Sequence, residues 1–529
     1  MFPKCDRFLD NKYTYPVLLA LVFGVSIGIH LVSPPCVDDA WFVLMARRML
    51  DGVILYKDFW EPNLPLIAWI YTIPVIFADI LSIAPVVCVK LFTVFLIALS
   101  LAICGYILRH SSFWAENGRR RSFLLAMAAI LLLSADSYVV FAQREHLLIV
   151  FILPYLLLNL PSVRQQALSP WLRGALGGMA AFGFCLKPHF FIIWLALLAY
   201  KMAKTRSLRV LFGPAEMAIG FAILFYVACI AVFTPYYFSY IRVVAQFYND
   251  MGLMGPTTPG IIFELVASAA VAALFSWVFG LFRIEAGVPY KQDVTYLLWI
   301  AAGAYVEMLV QFKSWVYVHY PFMALGMLPV ITVILLRPYA TLYALIAMGW
   351  LFQPTPPFNG ERMSKGYTDI MQKAIMPYEH SKDLYYIGLY LGLSYPCPQL
   401  LRPDAPLVWA GKFNRIFELE AIMELSPATG LPTLTVRPGK EWIEHWLLGN
   451  IADDLEKKQP DLLIIDKRWD AGEPLSEGFD MFEWLKKEPR ITLFLRGYTL
   501  RKEVELCSAL ESPDNTRRCG VRVFTRNNP

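Results

Sequence analysis

Four carboxylates, Asp38, Asp39, Asp58 and Glu61, lie in the loop that follows the first long apolar run of the chain. A carboxylate can act as a general base by accepting the proton of an attacking hydroxyl group. Their position predicts a reaction site at the membrane–water interface. A structural alternative stays open, because Asp38 or Asp39 could cap a helix, and Asp58 and Glu61 could belong to a solvated loop.

A second set of ionisable residues lies where one apolar run ends and the next begins with almost no loop. Its members are Arg144, Glu145, Lys187, His189, Lys313 and His319. Ionisable groups at such depth are costly and usually face a cavity in the protein. Cations placed there are suited to holding a phosphate group. Alternatively, Arg144 could pair with Glu145, and Lys187 could extend its ammonium group to the membrane surface.

The elements that must position these residues are predicted to be membrane helices. Of the 529 residues 57% are hydrophobic and only 17% are charged, whereas soluble proteins carry about 25% charged residues. Residues 1–353 contain 24 Lys and Arg against 17 Asp and Glu, and residues 354–529 contain 23 against 25. The basic residues of the first part are scattered through short loops, so the composition does not favour a nucleic-acid partner.

Apolar runs predict a polytopic α-helical membrane domain over residues 1–353, with about eleven spans. The spans are predicted at 15–33, 85–108, 122–140, 144–160, 172–187, 189–203, 210–233, 260–282, 294–311, 319–336 and 339–353. Basic residues favour the cytoplasmic side, which places the N-terminus inside and makes residues 34–84 one large outer loop. Within this loop we expect a helix along the membrane surface over 39–50 and a re-entrant or interfacial segment over 64–77.

The remaining residues, 354–529, are predicted to form an extracytoplasmic α/β domain. Strands are expected at 384–391, 406–409, 461–466, 491–500 and 520–525, and helices at 416–425, 442–455 and 479–487. Cys507 and Cys519 flank a polar turn and could form a disulfide in an oxidising compartment.

The first outer loop resembles that of the GT-C membrane glycosyltransferases, above all the branch with protein O-mannosyltransferases and lipid A aminoarabinose transferases. The resemblance is carried by the stretch DDAWFVLMARRMLDG, the step Tyr56-Lys57-Asp58 and the prolines of PNLPL. It extends loosely through Arg144-Glu145, Lys187-Pro188 and the stretch from Gln311 to Pro321, which contains Lys313 and His319. Relatives often have Lys-Pro-Pro where this chain has Glu61-Pro62-Asn63, so the lysine expected to touch the donor phosphate is missing.

The resemblance implies an inverting glycosyltransferase that moves a sugar from a polyprenyl-phosphate donor to an acceptor hydroxyl on the extracytoplasmic face. Asp38 or Asp39 would be the catalytic base. The donor phosphate would be bound by Arg144, Lys187, Lys313 and His319. The sugar or the acceptor would be bound by Asp58, Glu61, Glu145 and His189.

The expected donor is a membrane lipid, and the acceptor is a glycan, a glycolipid or a protein. We expect a monomer in the bacterial inner membrane, with the C-terminal domain in the periplasm. Asp38, Asp39, His146, His189 and His319 could in principle converge on a divalent metal, but no spacing demands it, so we expect no required cofactor. A transporter or flippase of a lipid-linked or anionic substrate, and a non-catalytic scaffold, remain alternatives. Transporters usually show internal repeats, and none is evident here.

Overall fold

The structure is a computed structural model that describes a helical part and a C-terminal part. The described residues are 13–33, 37–135, 140–251, 289–311, 316–336, 373, 375–378, 381, 383–388, 408–412, 419, 422–425, 432–468, 480–505 and 520–527. The predicted spans at 260–282 and 339–353, Lys313, and the cysteine pair Cys507 and Cys519 lie outside these residues.

The helical part consists of apolar helices joined by short connections. They are α1 (Thr14–Val32), α2 (Val37–Leu50), α3 (Leu66–Leu81), α4 (Pro85–Leu108), α5 (Asn117–Leu133), α6 (Arg144–Leu158), α7 (Pro170–Phe184), α8 (Phe191–Thr205), α9 (Pro214–Phe233), α10 (Tyr237–Met251), α11 (Pro289–Gln311) and α12 (Val316–Leu336). The segment predicted as re-entrant forms α3, a continuous helix with Pro74 inside it.

Four helices among the described residues are long and apolar enough to cross a membrane. They are Thr14–Val32, Pro85–Leu108, Pro214–Phe233 and Lys291–Gln311. Large apolar side chains such as Leu21 on α1 and Phe225 on α9 are exposed, as expected for helices whose surroundings are lipid rather than water. The predicted number of about eleven spans stays a prediction.

The chain forms two compact units. The first comprises Met1–Pro34, Val89–Cys229 and Gly255–Thr355, and the second comprises Pro35–Cys88, Ile230–Met254 and Pro356–Pro529. The predicted domain boundary at 353 lies close to the last of these divisions, but the predicted outer loop falls in the same unit as the C-terminal part. The assignment of 1–353 and 354–529 as domains stays a prediction.

The first unit is built around α6, every residue of which is buried. Helices α7 and α12 pack against it, and α11 packs on both α8 and α12. Glycine permits the closest approach, because a Cβ at Gly177 of α7 would overlap the backbone carbonyl of Ala215 in α9. Small residues at such crossings let helix backbones approach in a membrane, where dispersion contacts rather than the hydrophobic effect hold helices together.

Polar contacts fasten α1 to its neighbours in the first unit. Ser26 Oγ donates to the carbonyl oxygen of Leu132 over 3.0 Å, and the His30 ring lies 2.9 Å from the same oxygen. Lys90 is buried and donates to the carbonyl oxygens of His30 and Ser33, over 2.5 and 2.6 Å. A cation at the end of a helix satisfies carbonyl groups that have no partner within it, so Lys90 caps α1.

The second unit combines α2, α3, α10 and the C-terminal part. The C-terminal elements are β1 (Asp383–Ile387), β2 (Val408–Trp409), β3 (Met423–Leu425), β4 (Pro432–Val436), α13 (Glu441–Lys458), β5 (Leu462–Arg468), α14 (Met481–Leu485), α15 (Pro489–Leu495), β6 (Tyr498–Glu505) and β7 (Gly520–Arg526). One sheet has the order β2-β1-β5-β7-β6, and β3 pairs with β4. Strands β2, β1 and β5 are parallel, whereas β7 is antiparallel to both β5 and β6. The predicted layered α/β arrangement is therefore present.

Two local predictions in this part were wrong. The run 491–500, predicted as a strand, begins as α15, because Pro489 opens the helix and the Glu488 side chain accepts from the Arg490 amide. These start signals outweigh the β-propensity of the following residues. The predicted helix at 416–425 ends in β3, because Met423 pairs with Val436 of β4.

The outer loop packs directly on the C-terminal part within the second unit. The Trp60 amide donates to the carbonyl oxygen of Lys412 over 2.8 Å. The Trp60 ring stacks on Trp446 of α13 with 4.4 Å between centroids, and on Tyr240 of α10 with 5.5 Å. Contacts of this kind require that the loop and the C-terminal part lie on the same side of any membrane.

Candidate functional site

The acidic pair lies in the first turn of α2, which begins two residues before the predicted start of the helix. Asp39 is buried, and its Oδ1 accepts a hydrogen bond of 2.9 Å from the Tyr71 hydroxyl of α3. Asp38 is half-buried. Both carboxylates are favoured by the positive end of the helix dipole. The two carboxylates therefore differ in burial, and Asp38 is the more accessible.

Helix α2 is enclosed more completely than a helix lying on a membrane surface would be. Residues 40–46 are buried on every side of the helix, whereas Leu50 at its end is 45% exposed. Phe42 packs edge-on against Tyr71 of α3. At the C-terminal end of α2, Nη1 and Nη2 of Arg47 donate to the two carboxylate oxygens of Asp79, over 2.6 and 2.7 Å. This double contact fixes α2 against α3, and with it the position of Asp38.

Glu61 is buried, and both of its carboxylate oxygens accept hydrogen bonds. Oε2 accepts from the Trp41 indole over 2.6 Å, and Oε1 accepts from the amide of Asn63 over 3.1 Å and from its side chain. Asp58 is half-buried, and its Oδ2 lies 3.3 Å from the amide of Ile54. These contacts hold the loop onto α2, and the predicted role of Asp58 and Glu61 in sugar or acceptor binding stays a prediction.

A separate cluster of ionisable groups is buried in the first unit. Lys187, in the connection between α7 and α8, forms an ion pair with Glu145 in the first turn of α6. Glu145 is completely buried, and Arg144 beside it is 3% exposed. Arg144, Glu145 and Glu307 all act electrostatically on Lys187. The structure thus brings together three predicted residues, and it adds Glu307.

Glu307, on α11, is the residue that the sequence analysis missed. Its Oε1 accepts from Gln311 Nε2 over 2.6 Å and lies 3.4 Å from His189 Nε2. Its Oε2 is buried and has no hydrogen-bond partner among the described residues. The signal was present, because a lone carboxylate within the apolar run 294–310 is by default a candidate functional residue.

Two further predicted residues, His146 and His319, have different surroundings. His146 is a structural residue, because its Nδ1 accepts from the amide of Ala142 over 3.1 Å and its Nε2 lies 2.8 Å from the carbonyl oxygen of Leu131. His319 is half-buried on α12. Tyr317, two residues before it, has its ring 5.3 Å from the Lys187 ammonium.

The candidate residues therefore fall into two groups, one in each compact unit. The second unit holds Asp38, Asp39, Asp58 and Glu61, and the first holds Arg144, Glu145, Lys187, His189 and His319. Across the described ranges, no group of three or more His, Cys, Asp or Glu side chains is arranged to hold a metal ion. Whether a metal is needed stays a prediction from the sequence.

No family model matches this chain, and no curated protein matches it. Two solved structures are similar to it, both of ArnT from Cupriavidus metallidurans. One is bound to undecaprenyl phosphate, and its comparison covers 97% of this chain and 98% of that chain at 13% identity, with a TM-score of 0.43. The other is in the apo state, covered 96% and 97%, with the same identity and TM-score. Similarity at this level does not bear on the activity of this chain, so the function must be argued from its own residues.

Proposed function

We propose that this protein is an inverting glycosyltransferase that moves a sugar from a polyprenyl-phosphate donor to an acceptor hydroxyl. The fold class that goes with this proposal is a GT-C-like membrane domain with a C-terminal α/β domain. The observation that carries it is the unequal pair at the start of α2, where Asp39 is buried against Tyr71 and Asp38 is more accessible. Asp39 is thereby held in place by α3, whereas the half-buried Asp38 is the carboxylate that an acceptor hydroxyl can approach.

Inversion requires a single displacement at the anomeric carbon. A base accepts the proton of the acceptor hydroxyl as its oxygen attacks, and the bond to the phosphate oxygen breaks. Asp38 is assigned as this base. The transition state resembles an oxocarbenium ion, so the negative charge of the Asp38–Asp39 pair also stabilises it.

The leaving group is a lipid phosphate, which needs positive charge rather than an acid. Arg144 and Lys187 are assigned to it, together with Lys313 and His319. Lys187 is paired with Glu145 and adds a compact positive charge, and the Arg144 guanidinium can bind two phosphate oxygens at once. Glu145, His189 and Glu307 are assigned to hydroxyl groups of the sugar, because buried carboxylates accept hydrogen bonds from such donors.

The proposed location is the bacterial inner membrane, with the N-terminus in the cytoplasm and the chemistry on the periplasmic face. Basic residues in the predicted cytoplasmic loops support this orientation. The packing of Trp60 on Trp446 supports placing the C-terminal part on the side of the outer loop. The protein is proposed to act as a monomer, and its acceptor is a glycan, a glycolipid or a protein.

A transporter or flippase of a lipid-linked or anionic substrate is the second candidate. It is favoured by the buried Lys187–Glu145 pair and by Glu307 beside His189, because transporters also carry ionisable groups inside their helical part. A transporter does not need the accessible carboxylate of Asp38, and this difference makes the two functions separable.

The test uses membranes containing the full chain and a panel of radiolabelled polyprenyl-phosphate sugars. Consumption of the donor, with release of polyprenyl phosphate, is measured for the wild type, Asp38→Asn and Asp51→Asn. Asp51 is the matched control, because it is an exposed acid just beyond the end of α2. Transfer should be reduced by about a hundredfold or more in Asp38→Asn alone.

Equal donor consumption by the wild type and Asp38→Asn would remove Asp38 from the mechanism. If no donor on the panel is consumed but a labelled lipid crosses the membrane of reconstituted vesicles, the transport function replaces the proposal.

A further inference from the structure

Three cations occur together in the second unit, two of them from residues that contact one buried carboxylate and the third acting electrostatically on Lys458. They are Arg48 near the end of α2, Lys412 shortly after β2, and Lys458 at the end of α13. The carboxylate is Asp454, which is 2% exposed. Its Oδ1 lies 2.9 Å from the Lys458 ammonium, and its Oδ2 accepts from the backbone amide of Lys412 over 3.1 Å. Asp454 therefore compensates Lys458 and has little capacity left for the other two cations.

Among the described residues, Arg48 and Lys412 contact aromatic rings, and no carboxylate pairs with either of them. The Arg48 guanidinium lies 5.7 Å from the centroid of Phe59, and the Lys412 ammonium lies 5.4 Å from that of Trp60. Arg48 Nε is buried and has no hydrogen-bond partner in the described part of the chain. Aromatic faces attract cations but do not neutralise their charge.

Both Lys412 and Arg48 act electrostatically on Lys458. Burial lowers the pKa of Lys458, Asp454 raises it, and Lys412 and Arg48 lower it further by repulsion. All three side chains are half-buried, so water screens this repulsion less than it would at an open surface. An excess of positive charge in such a place is favourable only when an anion can share it.

We propose that Arg48, Lys412 and Lys458 form a binding site for a phosphate group. Arginine presents a planar fork that matches two phosphate oxygens, and lysine adds a compact charge. The rings of Phe59 and Trp60 hold the stems of the two side chains, which lowers the entropy lost on binding. Phosphate is favoured over a carboxylate ligand because its extra oxygens and charge match three cations.

This site is distinct from the proposed reaction centre. Asp38 and Arg48 are ten residues apart on α2, which corresponds to about 15 Å along the helix axis. The phosphate could come from a lipid headgroup or from a small soluble phosphate. The inference does not rest on sugar transfer, because binding is measured without turnover.

The test uses the purified full chain in detergent. Its thermal unfolding is followed while inorganic phosphate replaces chloride at constant ionic strength, and native mass spectrometry counts bound phosphatidylglycerol in a separate arm. A ligand of the folded state raises the unfolding temperature as its concentration rises above the Kd. A response in both arms identifies a general phosphate site, and a response to phosphatidylglycerol alone identifies a lipid headgroup site.

The variants are Arg48→Gln, Lys412→Gln and the double variant, with Lys457→Gln as the matched control. Lys457 is exposed and precedes Lys458 directly. The control should bind as the wild type does, and each single variant should bind about tenfold more weakly. Arg48→Lys keeps the charge and should lose less than Arg48→Gln.

Two results would overturn the inference. One is binding that stays equal in the wild type, both single variants and the double variant. The other is a wild type that responds neither to inorganic phosphate nor to phosphatidylglycerol. If the double variant does not fold, Lys412→Gln alone decides the question, because its ammonium has no carboxylate partner among the described residues.

Discussion

The buried ion pair between Lys187 and Glu145 allows a sharp test of the first unit. Side-chain exposure is 10% for Lys187 and 0% for Glu145, and Glu145 Oε2 has no hydrogen-bond partner within the described ranges. In Lys187→Met the carboxylate would stay buried without its compensating charge. Loss of one partner of a buried pair costs about 3–5 kcal/mol, so the free energy of unfolding should fall by about that amount.

The assay is unfolding of the purified protein in mixed micelles, followed by Trp fluorescence. The double variant Lys187→Met with Glu145→Gln has no charge left to bury, so it should recover about 2 kcal/mol relative to the sum of the two single changes. Lys486→Met is the control. It breaks an exposed pair with Glu483, so it should cost less than about 1 kcal/mol. Strict additivity of the Lys187 and Glu145 changes, or a Lys187→Met effect no larger than the control, would refute the reasoning.

Three further predictions address packing and positioning. Gly177→Ala should reduce the yield of folded protein, whereas Gly178→Ala should not, because only at Gly177 would the new methyl group overlap the Ala215 backbone. Size-exclusion profiles of the two variants check this prediction, and equal profiles would contradict it. Tyr71→Phe removes a hydrogen bond to buried Asp39 and should lower the free energy of unfolding by about 1–3 kcal/mol. An unchanged free energy of unfolding in the micelle assay would count against that hydrogen bond. Trp60→Ala should make the C-terminal part more sensitive to limited proteolysis than the exposed-site control Trp442→Ala does, because Trp60 packs on Trp446 and Tyr240.

Local sequence signals predicted most of the helices and strands among the described residues. Long apolar runs marked α1, α4 and α9 to within a few residues, because an apolar run of that length is stable as a helix in lipid, where its backbone groups must bond to one another. The strand predicted at 461–466 is β5, and the helix predicted at 442–455 is α13. The start of α15 differs from the prediction because Pro489 and the Glu488 cap favour a helix more strongly than the following residues favour a strand.

The residues of the candidate sites were found more easily than their partners. Residue type and position near span ends singled out Asp38, Arg144 and Lys187, because charges in apolar surroundings are rare. Their contacts could not be predicted in the same way. Glu145 pairs with a residue 42 positions away, and Asp39 with one 32 positions away. Such distances in sequence leave no local periodic signal.

The amino-acid sequence by itself determined that this protein is rich in apolar helices, that it ends in an α/β part, and that a few ionisable residues stand out from both. The tertiary structure alone decided which of those residues are buried and which side chains they contact. It buried Asp39 against Tyr71, paired Lys187 with Glu145, and left Asp38 more accessible. The physical reason is that desolvation and hydrogen bonding depend on neighbours brought together by packing, whereas apolar runs and helix start signals can be recognised along the chain itself.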